Sequence, residues 1–296
     1  MTSWAAALLR DGGRYDEGIV RFPDPVADEN IDYYRAIGGA HMTERAQVAF
    51  AMTSLDTPTY HGFLDTVAPP SLDTPIVDVG GGDGRNAIPW LERGYRCVVV
   101  LDAAGEALVR LRANIAARRP EWLDRILLIE CDARALPLRD ASAGTVVAVE
   151  TLYYLNDDYE VGLRECVRVL APGGKLLVSE RDREGALMMQ LLYGGLSQML
   201  RSYRDDVVWD GPERGHRTRA FSERELLDVL TANGLEILSV AGTSLLSMAI
   251  GWLNGRGSLA AAEGEAEEVR AMLADLSRTG RMRRCHVVVA QPASGR

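Results

Sequence analysis

The chain of 296 residues carries a formal net charge of −9 and 47% hydrophobic residues, a composition typical of a globular protein with a sizeable core. The acidic excess argues against a basic nucleic-acid-binding face and against binding to anionic membranes. No apolar run is long enough to span a bilayer, and the cysteines are too widely spaced for a C-x-x-C metal or redox pair. We therefore expect a cytoplasmic protein with no metal, no nucleic acid and no membrane partner.

Residues 1–70 precede the first strand that we predict. They show helical patterning around Tyr33–Ala36 and Glu44–Met52. We interpret this stretch as a helical cap or lid over the domain that follows, which we place at residues 71–296.

From Pro75 onward, short apolar runs alternate with helical patterns, which is typical of a doubly wound α/β fold. The fold that we expect is a Rossmann-like sheet of seven strands, mostly parallel with an antiparallel last strand. The predicted strands are 76–79, 96–101, 126–130, 144–149, 175–180, 235–241 and 286–291. The helices between them are predicted at 104–119 and 157–170, and a third follows Ser222, which has a glutamate three residues later as in a capping box.

Two long segments interrupt this alternation, at about residues 182–220 and 243–283. The first contains the apolar stretch Ala186–Leu200, and the second contains an acidic, alanine-rich helical pattern at Ala260–Leu276. Insertions of this length in a compact domain usually serve as lids or partner surfaces. We expect any homodimer contact on the second of them.

The sequence Asp78-Val79-Gly80-Gly81-Gly82-Asp83-Gly84 follows the first predicted strand and precedes a helix. Glycines at such a turn let the backbone approach a ligand closely, at a helix N-terminus. Two patterns fit: a dinucleotide fingerprint over residues 82–87, and D-x-G-x-G-x-G over residues 78–84. Asp102 ends the next strand, where a carboxylate can accept from both hydroxyls of a ribose in either case.

Two later motifs favour the second pattern. Asp132-Ala133 follows the third strand, and Arg168-Val169-Leu170-Ala171-Pro172-Gly173-Gly174 joins a helix to the fifth strand. With these motifs in order, residues 70–242 and the last strand resemble the class I S-adenosylmethionine (SAM)-dependent methyltransferases of small molecules. An oxidoreductase that uses NAD(P) would share the first glycines and Asp102 but not the whole series.

The resemblance implies a site for SAM, and for its product S-adenosylhomocysteine (SAH), at the carboxyl edge of the sheet. Asp78 would face the methionine end of the cofactor, and Asp102 would face the ribose. Asp132 would face the adenine amino group, from which a carboxylate can accept a hydrogen bond. Glu150 ends the fourth strand beside the methionine end and the acceptor. A tyrosine of the N-terminal helix, Tyr33, would cover the cofactor. The cofactor residues predicted in this way are Asp78, Gly80, Gly82, Gly84, Asp102, Asp132, Ala133, Glu150 and Tyr33.

The reaction that we expect is methyl transfer to a small organic acceptor, with O-methylation of a specialised metabolite, as in antibiotic biosynthesis, as the first choice. N- or C-methylation, an NAD(P)-dependent oxidoreductase and a non-catalytic SAM-binding regulator are the alternatives. A base is needed only if the acceptor must lose a proton. His216 is the first candidate because histidine titrates near neutral pH, and Tyr153 is the second catalytic candidate. The other histidines, at 41, 61 and 286, are weaker candidates.

Overall fold

The computed structural model describes residues 2–23, 28, 30–32, 35, 44–205, 207–210, 216–247, 249–250 and 283–293, with the side chains at 44–55, 193, 209, 210 and 216 outside this description. The strands are β1 (Arg14–Asp16), β2 (Ile19–Arg21), β3 (Ile76–Val79), β4 (Val98–Asp102), β5 (Ile126–Glu130), β6 (Ala143–Val149), β7 (Leu170–Arg181), β8 (Val208–Asp210), β9 (His216–Thr218), β10 (Leu235–Ser244) and β11 (Arg283–Pro292). The α-helices are α1 (Ser3–Leu8), α2 (Glu44–Val67), α3 (Ala87–Glu92), α4 (Gly105–Arg118), α5 (Tyr159–Val169), α6 (Arg183–Asp205) and α7 (Glu223–Ala232). Short 3₁₀ segments occupy Pro120–Trp122 and Leu152–Asp158.

The main sheet has the strand order β1-β2-β5-β4-β3-β6-β7-β11-β10 among the described residues. The five neighbouring strands β5, β4, β3, β6 and β7 run parallel, whereas β11 is antiparallel to both β7 and β10. The doubly wound sheet with an antiparallel last strand is thus confirmed. The strand order reverses direction between β3 and β6, and ligands of open α/β sheets bind at such a point.

Alternation along each strand divides the apolar residues between the two faces of the sheet. Val77 and Val79 pack on the face that carries α1, α5 and α7, and Ile76 packs on the face that carries α2, α3 and α4. Parallel strands that are covered on both faces consist of continuous apolar runs. For this reason these strands could be predicted well from the sequence. The buried core on each side fixes the carboxyl edge of the sheet in place.

The prediction of seven strands was too low, because the segment before residue 70 contributes strands as well as helices. β1 and β2 form a hairpin, and β2 pairs in parallel with β5 at the edge of the sheet. Each has three residues, too few for a clear alternating pattern, and the pairing with β5 stabilises them. The predicted helical patch at residues 44–52 belongs to the longer helix α2.

The insertion at residues 182–220 contains α6, broken at Gly195, and the β8–β9 hairpin. The second insertion, at about 243–283, is where we expect any homodimer contact; it begins with the end of β10, and its residues 248 and 251–282 lie outside the described residues. The helix after Ser222 is present as α7, and the Ser222 hydroxyl accepts from the N–H of Glu225 as predicted. Among the described helices, none is long and apolar enough to cross a membrane.

Candidate functional site

A cavity of about 280 Å³ opens at the carboxyl edge of the sheet, past the ends of β3, β4, β5 and β6. Ligand sites in proteins have volumes from about 300 Å³ upward, so this cavity is of the size expected for a small cofactor. Six of the predicted residues line it: Gly80, Gly82, Asp102, Asp132, Ala133 and Glu150. The structure therefore brings together side chains from strands that are far apart in sequence.

The glycine loop forms the floor of the cavity. Gly80 has φ +67°, and a Cβ there would overlap the side chain of Thr151, so only glycine fits. The N–H of Gly80 donates to Leu101 O at 2.7 Å, which ties the loop to the end of β4. Gly84 does not line the cavity; it packs against Leu111 of α4.

Asp102 fixes the loop from the other side. Its Oδ2 accepts from the N–H of Gly82 and its Oδ1 from the N–H of Ala104, each at 2.8 Å. Burial raises the pKa of Asp102, whereas these two hydrogen bonds oppose the shift. Each carboxylate oxygen can accept a second hydrogen bond, so the side chain keeps the capacity to accept from a ligand hydroxyl.

Asp132 lies at the β5 end of the cavity and is buried. Arg134 holds it with its backbone N–H at 2.8 Å from Oδ1 and with Nη2 at 2.5 Å from Oδ2. The same guanidinium reaches Asp28 and Asp158, each at 2.9 Å. The sequence analysis did not identify Arg134 as a site residue; the local signal for it is a cationic residue two positions after Asp132.

Asp78 lies beneath the loop and does not line the cavity. A Cβ added to Gly81 would stand 2.7 Å from Asp78 Oδ2, so the carboxyl is directly below that peptide. Among the described residues, neither oxygen has a hydrogen-bond partner of normal geometry. Burial raises the pKa of Asp78 to about 7, although the charge of Arg85 opposes the shift.

Glu150, Thr151 and Tyr154 form the β6 end of the cavity. Asn30 closes this end from above, because its amide donates to Tyr154 O at 2.7 Å and to Arg217 O at 3.2 Å. Asn30 and the neighbouring Ile31 both line the cavity. The segment before residue 70 thus contributes directly to the cavity wall.

The structure places the catalytic candidates less favourably. Tyr153 is buried away from the cavity, and burial raises the pKa of its phenol well above the ordinary value; its neighbour Tyr154 lines the cavity instead. The backbone of His216 begins β9, but its side chain lies outside the described residues, as does all of Tyr33. The ring of His61 bonds Arg85 O at 2.9 Å, and buried His286 bonds Phe221 O at 3.0 Å.

Comparisons with known proteins agree on the domain. Residues 77–178 match the family model described as a methyltransferase domain. The chain is 32% identical over 105 residues to the 27-O-demethylrifamycin SV methyltransferase of Amycolatopsis mediterranei, covering 36% of this chain and 38% of that protein. It is 34% identical over 123 residues to the ubiquinone/menaquinone biosynthesis C-methyltransferase UbiE of Paracoccus denitrificans, covering 40% of this chain and 46% of that protein. The chain thus spans less than half the length of these curated relatives.

Among solved structures, the CcbJ methyltransferase of Streptomyces caelestis superposes with a TM-score of 0.54. The match covers 81% of this chain and 90% of that chain, at 18% sequence identity. At this identity the likeness shows the fold. Within the described part of the chain, no cluster of three or more His, Cys, Asp or Glu side chains is placed to hold a metal ion.

Proposed function

We propose that this protein transfers a methyl group from SAM to a small organic acceptor. The proposal agrees with the class I methyltransferase fold of the chain and with the match of residues 77–178 to a methyltransferase domain. The observation that supports this most directly is one cavity bordered in order by Asp132, Asp102, the glycine loop and Glu150. These residues end four neighbouring strands, β5, β4, β3 and β6, so a long, polar ligand can contact all four.

The residues of the cavity fit SAM. Asp132 and Asp102 are acceptors suited to an adenine amino group and to ribose hydroxyls, and the glycines let the backbone pass close beneath the ligand. Asp78 lies buried beneath the loop, and a cationic cofactor above it would favour the ionised form of this carboxyl, whose pKa burial raises to about 7. When bound, SAM supplies a methyl group on a positively charged sulfonium, an activated leaving group.

The protein's own contribution is then mainly binding, alignment and exclusion of water. Asn30 covers the β6 end of the cavity and Ile31 also lines the cavity, in keeping with a capping role for the segment before residue 70. Tyr33 is proposed as part of the same cap. His216 is proposed as the base for an acceptor that must lose a proton, since β9, which it begins, is joined to the cavity through the Asn30–Arg217 hydrogen bond.

For the acceptor we propose an oxygen atom of a specialised metabolite, handled in the cytoplasm. One relative is named as methylating a demethylrifamycin, and another is named as a C-methyltransferase, so carbon is the second candidate atom. Incubation with SAM carrying a labelled methyl group and a panel of phenols, carboxylic acids, enols and amines tests the proposal. NMR of the labelled product identifies the methylated atom, and Asp102→Asn is the control with a damaged cofactor site. Cofactor binding without SAH formation on any acceptor would instead favour a non-catalytic SAM binder.

A further inference from the structure

A buried ionic network lies behind the β6 end of the cavity and connects three distant parts of the chain. Arg284 of β11 donates through Nε to Asp56 Oδ2 at 2.7 Å and through Nη2 to Glu150 Oε1 at 2.6 Å. Its Nη1 is 3.0 Å from Glu150 Oε2, so Glu150 is held bidentately. The side chains of Arg284 and Asp56 are 7% and 1% exposed, so solvent barely screens these contacts.

Tyr60 of α2 completes the network. Its hydroxyl donates to Glu150 Oε1 at 2.9 Å and lies 3.0 Å from Ser179 Oγ of β7. Arg85, which follows the glycine loop, is 3.7 Å from the same carboxylate. Although burial disfavours ionisation, the charges of Arg284 and Arg85 hold the pKa of Glu150 below its usual range, so its carboxylate stays ionised and poorly suited to accept a proton.

The backbone at Glu150 is in a conformation that residues other than glycine rarely adopt. Its φ is +54°, in the left-handed region, and its N–H donates to Ser179 O at 3.1 Å. Strained residues of this kind persist where their surroundings determine them, and they cluster at functional sites. Here the bidentate Arg284 fork and the Tyr60 hydroxyl hold the side chain, so that the backbone turn is fixed.

This turn has a direct consequence for the cavity. After Glu150 the chain bends so that Thr151 stands against Gly80, at the place where a Cβ of residue 80 would be. Thr151 and Gly80 both line the cavity, one from the end of β6 and the other from the glycine loop. The position of Glu150 therefore sets the spacing between the two walls at this end.

We propose that Arg284, anchored by Asp56, is a positioning residue that holds Glu150 and Thr151 against Gly80 and so shapes the end of the cofactor cavity nearest the acceptor. The inference rests on the proposed function, because the cavity is taken to bind SAM. Replacing a buried ion pair by apolar groups is often neutral or stabilising, so stability alone is a weak explanation for this network. Bidentate geometry, by contrast, gives orientational specificity that a point charge lacks.

The test measures SAH affinity by isothermal titration, together with unfolding in urea, for the full-length protein. The variants are Arg284→Met, which removes the fork, Arg284→Lys, which keeps the charge, Glu150→Gln, and the double variant Arg284→Met/Glu150→Gln. Arg168→Met is the matched control: Arg168 also bonds a glutamate with two nitrogens, Nε to Glu165 Oε1 at 2.6 Å and Nη2 to Glu165 Oε2 at 2.7 Å, but neither residue lines the cavity.

We expect Arg284→Met to weaken SAH binding roughly 10- to 100-fold, the size of effect found at metal sites when a partner that orients a binding residue is removed. Arg284→Lys should recover most of the stability but little of the affinity, because an ammonium lacks the planar fork that holds both oxygens of Glu150 while Nε reaches Asp56. The double variant should bind SAH about as weakly as Arg284→Met alone, since both changes release the same turn. Arg168→Met should lower stability and leave affinity unchanged.

Wild-type affinity in folded Arg284→Met, with only its stability reduced, would overturn this inference and leave the proposed function intact. Recovery of full affinity in Arg284→Lys would also overturn it, because charge rather than geometry would then be sufficient. Failure of the wild-type protein to bind SAH would instead overturn the proposed function.

Discussion

Asp78 is expected to make the free energy of unfolding fall with increasing pH. Its carboxyl is buried beneath Gly81, and its pKa rises from 3.8 to about 7 on folding. Between these values the unfolded chain loses the proton while the folded protein keeps it, so stability decreases as pH rises and levels off above pH 7. Asparagine has nearly the same shape and does not ionise, so Asp78→Asn removes this dependence.

The magnitude follows from the shift. One pKa unit corresponds to about 1.4 kcal/mol, and at pH 7 about half of the folded molecules still hold the proton, so through this group the wild-type protein loses roughly 2 kcal/mol between pH 5 and pH 7 and about 3 kcal/mol by pH 8. Burying the asparagine amide has its own cost, but that cost is the same at each pH. The difference in free energy of unfolding between Asp78→Asn and wild type should therefore shift in favour of the variant by about 3 kcal/mol from pH 5 to pH 8.

Urea unfolding of the ligand-free protein, followed by circular dichroism at pH 5, 6, 7 and 8, measures this difference. Asp73→Asn is the control, because Asp73 is an exposed carboxylate paired with Arg96 at 2.6 Å, and pairs of this kind contribute about 1 kcal/mol or less. A difference between Asp78→Asn and wild type that stays constant from pH 5 to pH 8 would refute the reasoning. It would mean that Asp78 is hydrated or paired in solution.

Three further predictions concern the site and its support. Asp102→Ala should weaken SAM binding by about 1–3 kcal/mol, because ribose hydroxyls lose their acceptor, and an unchanged dissociation constant by titration would reject that assignment. His216→Ala should lower turnover roughly 10²- to 10⁴-fold on an acceptor that must be deprotonated, and steady-state turnover equal to wild type would leave His216 without a catalytic role. Gly84→Ala should destabilise the protein more than Gly173→Ala in urea unfolding: both glycines have positive φ, but a Cβ at Gly84 would stand 2.5 Å from buried Leu111, whereas one at Gly173 meets no atom within 4 Å. Equal losses of unfolding free energy in the two variants would show that the Leu111 side chain moves aside without an energetic penalty.

Much of the fold was predictable because its signals are local. Ile126–Glu130 is a strand at the predicted residues, since a buried parallel strand is a continuous apolar run with clear ends. The side chains at the strand ends were predictable for a related reason, because all parallel strands end at one edge. Asp102 and Asp132 therefore had to lie near the glycine loop, and both line the cavity there.

The remaining features depend on contacts between residues that are distant in sequence. Arg284 and Asp56 are 228 residues apart, and no local pattern marks either as a residue that supports the cavity wall from behind. The choice between Tyr153 and Tyr154 depends on how the 3₁₀ segment that contains both is rotated against β6. The hairpin of β1 and β2 forms because the edge of β5 offers it partners, which propensity alone does not reveal.

The central claim is that the cavity at the carboxyl edge binds SAM. Isothermal titration of the purified protein with SAM, and then with SAH, tests it most directly. Binding of both in the micromolar range, with SAH at least as tight as SAM, is the predicted result. Absence of binding to either, together with binding of NADH or NADPH, would contradict the claim and assign the glycine loop to a dinucleotide.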